Sequence, residues 1–142
     1  MMIEQLLTSF ISTAAFGILF NAPKESLLKC GFAGMVGWGI YMLLVTYHFD
    51  VVVATLIASI FIAVISQFFA KIYRTPIIVF NVGGIIPLVP GGLAYDAMRN
   101  VVENDYNAAI QLAAKAFMIS GAIAMGLVFS EVINQVIRRS KL

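Results

Sequence analysis

Thr75 to Tyr95 reads TPIIVFNVGGIIPLVPGGLAY, 21 residues without a charge. A helix needs about 20 apolar residues to span a bilayer, so this run is long enough to cross one. It also holds three of the four prolines and four of the eleven glycines of the chain, which a plain spanning helix does not need. Lipid-exposed backbone must bond to itself. Irregular backbone at membrane depth therefore survives only when it is buried in protein or lines a wet cavity. The run reads as a broken helix at a transport site.

The break follows from its residues. Pro87 removes a backbone donor and disturbs the carbonyl of Gly83, and Pro90 does the same to Ile86. Gly83, Gly84, Gly91 and Gly92 permit conformations closed to other residues. Two half-helices with free carbonyls and amides between them are expected. Half-helix N-termini favour anionic groups and freed carbonyls favour cations, which suits an amino-acid zwitterion or a carboxylate. Asn81 adds an amide, and Tyr95 a hydroxyl at the outer edge. The plainer alternative is a kinked structural helix.

The bulk composition agrees with a membrane setting. The chain has 142 residues, 61% hydrophobic and 11% charged. A soluble domain carries about 25% charged residues. So much apolar surface cannot be hidden in one small core, and lipid is the expected solvent. The expected fold is a single all-α polytopic membrane domain. The net charge of +2 and the lack of a basic patch with interleaved aromatics argue against a nucleic-acid partner. Cys30 and His48 are each the only residue of their type, so no disulfide, zinc cluster or histidine pair is available. No metal or cofactor is expected. A membrane enzyme finds no support in any acid, histidine or cysteine cluster. His48 and Asp50 lie in a short loop without a nucleophile elbow. Glu4 stands where a secretory signal would be basic.

Five runs are long enough to span, with boundaries near 3–22, 27–48, 51–73, 76–95 and 106–137; the last must tolerate Lys115. Between the fourth and fifth, Asp96 to Asp105 sets Met98, Val101 and Val102 against Asp96, Arg99, Glu103 and Asp105, which reads as a short interfacial helix. If all five runs cross, seven of the nine basic residues fall on one side. The positive-inside rule makes that side cytoplasmic, with the N-terminus out and the C-terminus in, in a cytoplasmic membrane. A fourth run that dipped in and returned would weaken the bias to five of nine.

Three faces stand out within the spans. Gly34 and Gly37, with Gly31 nearby, form a small-residue surface suited to close helix packing. Thr55, Ser59 and Ser66 share a face of the third span, with Gln67 beside it. Either these groups bond the turn below and a neighbouring helix, or they line a polar pathway. Gln111 and Lys115 lie one turn apart on the fifth. Lys115 either snorkels to the interface or offers a counter-charge to a carboxylate cargo. Glu131, near Arg138 and Arg139, is either solvated or a proton carrier.

The chain resembles the small subunit of the threonine/serine exporter family. The resemblance rests on Asn21-Ala-Pro-Lys24, on Gly31 to Trp38 (GFAGMVGW), and above all on Ile86-Pro-Leu-Val-Pro-Gly-Gly92 followed by Tyr95. It implies export of threonine and serine driven by a proton gradient, with a larger membrane subunit as partner. Some two-subunit members are linked to succinate export instead, so the resemblance leaves the cargo open. A homo-oligomer, and an assembly subunit that transports nothing itself, are the other readings. The small subunit alone brings no soluble domain and no nucleotide-binding loop.

Overall fold

The computed structural model describes residues 1–141. Six α-helices make up the described chain, and no strand occurs among these residues. They are α1 (Met2–Leu19), α2 (Leu27–Thr46), α3 (Val51–Tyr73), α4 (Ile77–Ile85), α5 (Gly91–Val102) and α6 (Tyr106–Ser140). Four of them, α1, α2, α3 and α6, are long and apolar enough to cross a membrane. The pair formed by 77–88 and 91–102 passes the same test when taken together, bent by 51° at the break, the geometry of a broken span or a re-entrant loop. The chain is thus an all-α, multi-pass membrane protein.

Local chemistry sets the helix ends. After α1 the Ala22 amide donates to the Gly17 carbonyl at 2.9 Å, and Pro23 prevents further winding. Asn21, His48, Arg74 and Asn104 each take a left-handed backbone, with φ between 52° and 66°, at the turns that follow α1, α2, α3 and α5. Asp105 opens α6 by accepting the Ala108 amide at 3.2 Å on its carboxylate, a side-chain N-cap.

The packing order positions the break. α2 lies between α1 and α3, α4 seats against α2 and α3, and α6 packs on α3 and α5. Ala58, Ile62, Leu88, Ile119 and Ile123 form one buried cluster where α3, α6 and the turn after α4 meet. Small residues bring the backbones close. Gly34 leaves room for Thr13, while Gly37 and Gly84 both abut Ile62. Large apolar side chains such as Phe61, Val64 and Phe68 point outward from α3, as lipid solvent allows.

The fourth run departs from its expected boundaries. It does not continue to Tyr95 and then yield to a separate interfacial helix. The regular helix stops at Ile85, and a new one starts at Gly91 and continues to Val102. The reason is that Pro87 and Pro90 cannot donate to the ladder, whereas nothing between Gly91 and Val102 interrupts it. Tyr95 and the amphipathic segment therefore share one helix. α6 is 35 residues long, or about 52 Å at 1.5 Å per residue. The α6 residues that meet α3 lie from Ile119 onward, and α5 covers part of the earlier turns.

Candidate functional site

Between α4 and α5 the backbone makes a single 3₁₀ turn over Ile86–Leu88. Val89 is extended at φ −60° and ψ 128°. The Val89 amide donates to the Ile86 carbonyl at 3.3 Å, and the Gly91 amide to the Val89 carbonyl at 2.8 Å. No glycine has positive φ. The four glycines around the break are therefore not required by backbone sign, and space must explain them where anything does. Gly83 faces the Cys30 side chain and Gly84 faces Ile62 and Ala33, so both allow α4 to sit tightly on α2 and α3. Around Gly91 and Gly92 a methyl group would meet no atom within 4 Å.

Pro87 faces a groove of about 500 Å³. The rest of its lining is Glu4, Gln5, Thr8, Ser9 and Ser12 of α1, with Trp38 of α2. These α1 residues recur every three to four positions, which puts them on one helix face. Thr8 and Ser9 donate to the carbonyls of Glu4 and Gln5 at 2.7 and 2.8 Å. The Trp38 indole N–H donates to the Gln5 side-chain oxygen at 3.2 Å and its ring stacks on Tyr41. Glu4 is the one charged group in this lining.

A second cavity of about 330 Å³ opens at the opposite, basic end. Gln67, Lys71, Thr75, Glu131, Asn134 and Arg138 provide its polar lining. The Gln67 amide donates to the Ser130 carbonyl and hydroxyl at 3.2 and 3.1 Å, joining α3 to α6 above it. Beside it, the Lys29 ammonium sits 3.3 Å from the centre of the Tyr73 ring, a cation–π contact between α2 and α3.

The residues expected at a substrate site do not converge on one point. Gly83 and Gly84 are buried against α2 and α3, Asn81 is half-buried on the same helix, and Pro87 reaches the α1 groove. Pro90 and Gly91 line a separate apolar groove of about 420 Å³ between α5 and α6. Gly92, Tyr95 and Lys115 are exposed. Of the third-span face, Thr55 and Ser59 donate to Val51 and Thr55 carbonyls at 2.8 and 2.7 Å, Gln67 reaches α6, and Ser66 is fully buried. Gly31 packs on Phe10 and Gly34 on Thr13, joining α2 to α1, while Gly37 joins it to α3.

Reading by sequence missed the α1 face. Its signal was available: Gln5, Thr8, Ser9, Ser12 and Thr13 repeat with helical spacing in a run otherwise apolar. The cavity pairing of Lys71 and Thr75 with Glu131, Asn134 and Arg138 was not legible, because it joins positions some sixty residues apart.

A family model described as Threonine/Serine exporter, ThrE matches residues 5–133, most of the chain. No solved structure matches.

Proposed function

Because the chain belongs to the threonine/serine exporter family, we propose that it is the small membrane subunit of a secondary exporter. In this reading a small hydroxy-amino acid passes beside the broken α4–α5 segment. The observation that carries it is the groove at Pro87. A span interrupted by two prolines is placed against a helix face rich in hydroxyls, an amide and one carboxylate. That chemistry matches the cargo class. Hydroxyls both donate and accept, so they exchange partners with a cargo hydroxyl as they would with water. Glu4 offers a counter-charge to an ammonium.

The reading carries further parts. The basic end faces the cytoplasm, since Lys24, Lys29, Lys71, Arg74, Arg138, Arg139 and Lys141 gather there. The N-terminus is then outside and the C-terminus inside, in the cytoplasmic membrane. A proton gradient supplies the driving force, with Glu4 and Glu131 as the acids of the two cavities. A larger membrane subunit completes the translocation path. A second reading, succinate export, is favoured by Lys71 and Arg138 in the cavity at the basic end, which suit carboxylates.

The test is efflux of threonine, serine and succinate from cells with both subunits, either one, or neither. Threonine and serine efflux that needs both supports the reading, and succinate efflux alone selects the second one. Pro87→Ala should abolish export while the protein stays in the membrane. Unchanged efflux from that variant overturns the role of the break and leaves an assembly subunit that transports nothing itself.

A further inference from the structure

Most hydroxyls on these helices bond locally. Those of Thr8, Ser9, Thr46, Thr55, Ser59 and Ser120 each donate to the carbonyl one turn back. Two that are fully buried do not. Thr13 Oγ1 and Ser66 Oγ have no hydrogen-bond partner among the described residues, and neither has the shielded Oδ1 of Asn81. A buried polar group without a partner typically costs about 1–3 kcal/mol. Three such groups in one small bundle call for a reason.

Their positions supply one. Thr13 follows Ser12, which lines the groove at Pro87. Ser66 precedes Gln67, which lines the cavity at the basic end. Asn81 lies on α4 between Ile77, a wall of that cavity, and Pro87, a wall of the groove. At 1.5 Å per residue, Asn81 is about 6 Å along the axis from the first and about 9 Å from the second. Thr13 also abuts Gly34 and approaches Gly83, so α1, α2 and α4 meet where it sits. Along the helix axes the three unpartnered groups therefore lie at levels between the two polar cavities, although none of them lines either one.

We infer that Thr13, Asn81 and Ser66 form the middle of a hydrated passage along α4 that joins the groove at Pro87 to the cavity at the basic end. Its occupants are water and the protons water carries. The two hydroxyls donate and accept, and the Asn81 carbonyl oxygen accepts, so a water file can satisfy all three. Each mouth holds one acid: Glu4 at the groove, and Glu131 at the cavity, where Lys71 and Arg138 face it. The passage deepens the export reading above, because a proton-driven exporter needs such a route. It is nonetheless a property of this chain that can be tested without export.

The experiment is thiol accessibility in membranes, with Cys30→Ala as the background. Thr13→Cys, Ser66→Cys and Asn81→Cys are treated with a small water-soluble thiol reagent. Ser12→Cys marks the groove, Thr75→Cys the cavity, and Val64→Cys, which points outward from α3, is the control. The three central thiols should react at least about tenfold faster than Val64→Cys, because the thiolate that reacts forms where water solvates it. Central thiols that react no faster than Val64→Cys overturn the passage, whether or not the two mouths react. If Cys30→Ala does not accumulate, the same thiols are introduced with Cys30 retained, whose own labelling is the blank. Labelled central thiols in a chain that exports nothing would keep the passage and remove the export reading; export with unlabelled thiols would do the reverse.

Discussion

Gly34 and Gly91 show two ways in which this chain uses its smallest residue. In the half built from α1 to α4, every glycine has a neighbour within reach: Gly17 meets Leu27, Gly31 meets Phe10, Gly34 meets Thr13, Gly39 meets Leu6, Gly83 meets Cys30, and Gly37 and Gly84 meet Ile62. At the hairpin of α5 and α6, a methyl group on Gly91, Gly92 or Gly121 would touch nothing within 4 Å. The first half is explained by its own packing. Without water to drive helices together, backbone approach across small residues is what holds them. The second half has small residues that no contact within the described chain requires. Nothing in the packing of the described residues accounts for them.

The largest expected effect tests the first half. Gly34→Val places a branched side chain against Thr13, whose Cβ and Cγ2 would lie 2.9 Å from the new Cβ. The Thr13 Cβ is fixed to the backbone and cannot swing aside, so α1 has to move. Overpacking typically costs about 1–3 kcal/mol, and this site should reach the top of that range. Little protein should accumulate in the membrane. Normal accumulation would show that α1 is not held where the packing indicates.

Gly126→Ala comes next. Its methyl would meet the Ser59 Cβ at 2.7 Å and the Leu56 carbonyl at 3.1 Å. Backbone cannot rotate aside as a side chain can. A loss of about 2 kcal/mol, read as a lower melting point in detergent, is expected. An unchanged melting point would mean that α3 and α6 slide freely, which the Gln67–Ser130 hydrogen bonds argue against.

Gly91→Ala and Gly92→Ala sharpen the contrast from the other side. Neither meets steric resistance, and alanine is the better helix former by up to about 1 kcal/mol. Melting points should hold or rise slightly. Gly91→Leu should still insert in the membrane, yet export should fall, because the space outside α5 would be filled. Full export from Gly91→Leu would show that this space has no role in transport.

The same contrast explains what was legible in the sequence. The five apolar runs, the break at Pro87 and Pro90, and the gathering of basic residues at one end follow from composition, proline chemistry and spacing along the chain. The amphipathic helix starts at Gly91 rather than at Asp96, because the last proline, and not the first charge, sets its boundary. The face of α1 carried a readable period but lay in a run that looked like plain lipid contact. Gly31, Gly34 and Gly37 form a face in the sequence, but which helix each one meets does not: Gly34 joins α1 and Gly37 joins α3. The convergence of Lys71, Glu131 and Arg138 depends on how α3 and α6 pack, and no local pattern encodes it.

The smallest effect concerns one turn within each half. His48 after α2 and Asn104 after α5 adopt the same left-handed backbone, at φ 66° and 64°. Asparagine visits this region readily and histidine less so. Asn104 gains a further contact, since its side-chain oxygen accepts the Tyr106 hydroxyl at 3.2 Å. Glycine removes the Cβ clash at either position but adds freedom to the unfolded chain, a penalty of roughly 0.5–1 kcal/mol. At His48 the relief, smaller than the about 1–2 kcal/mol of an ordinary side chain, roughly offsets that penalty, so His48→Gly should leave the melting point nearly unchanged. At Asn104 the relief is smaller and a hydrogen bond is lost, so Asn104→Gly should lower it. The opposite ranking would mean that the His48 ring adds more stability than its left-handed backbone costs.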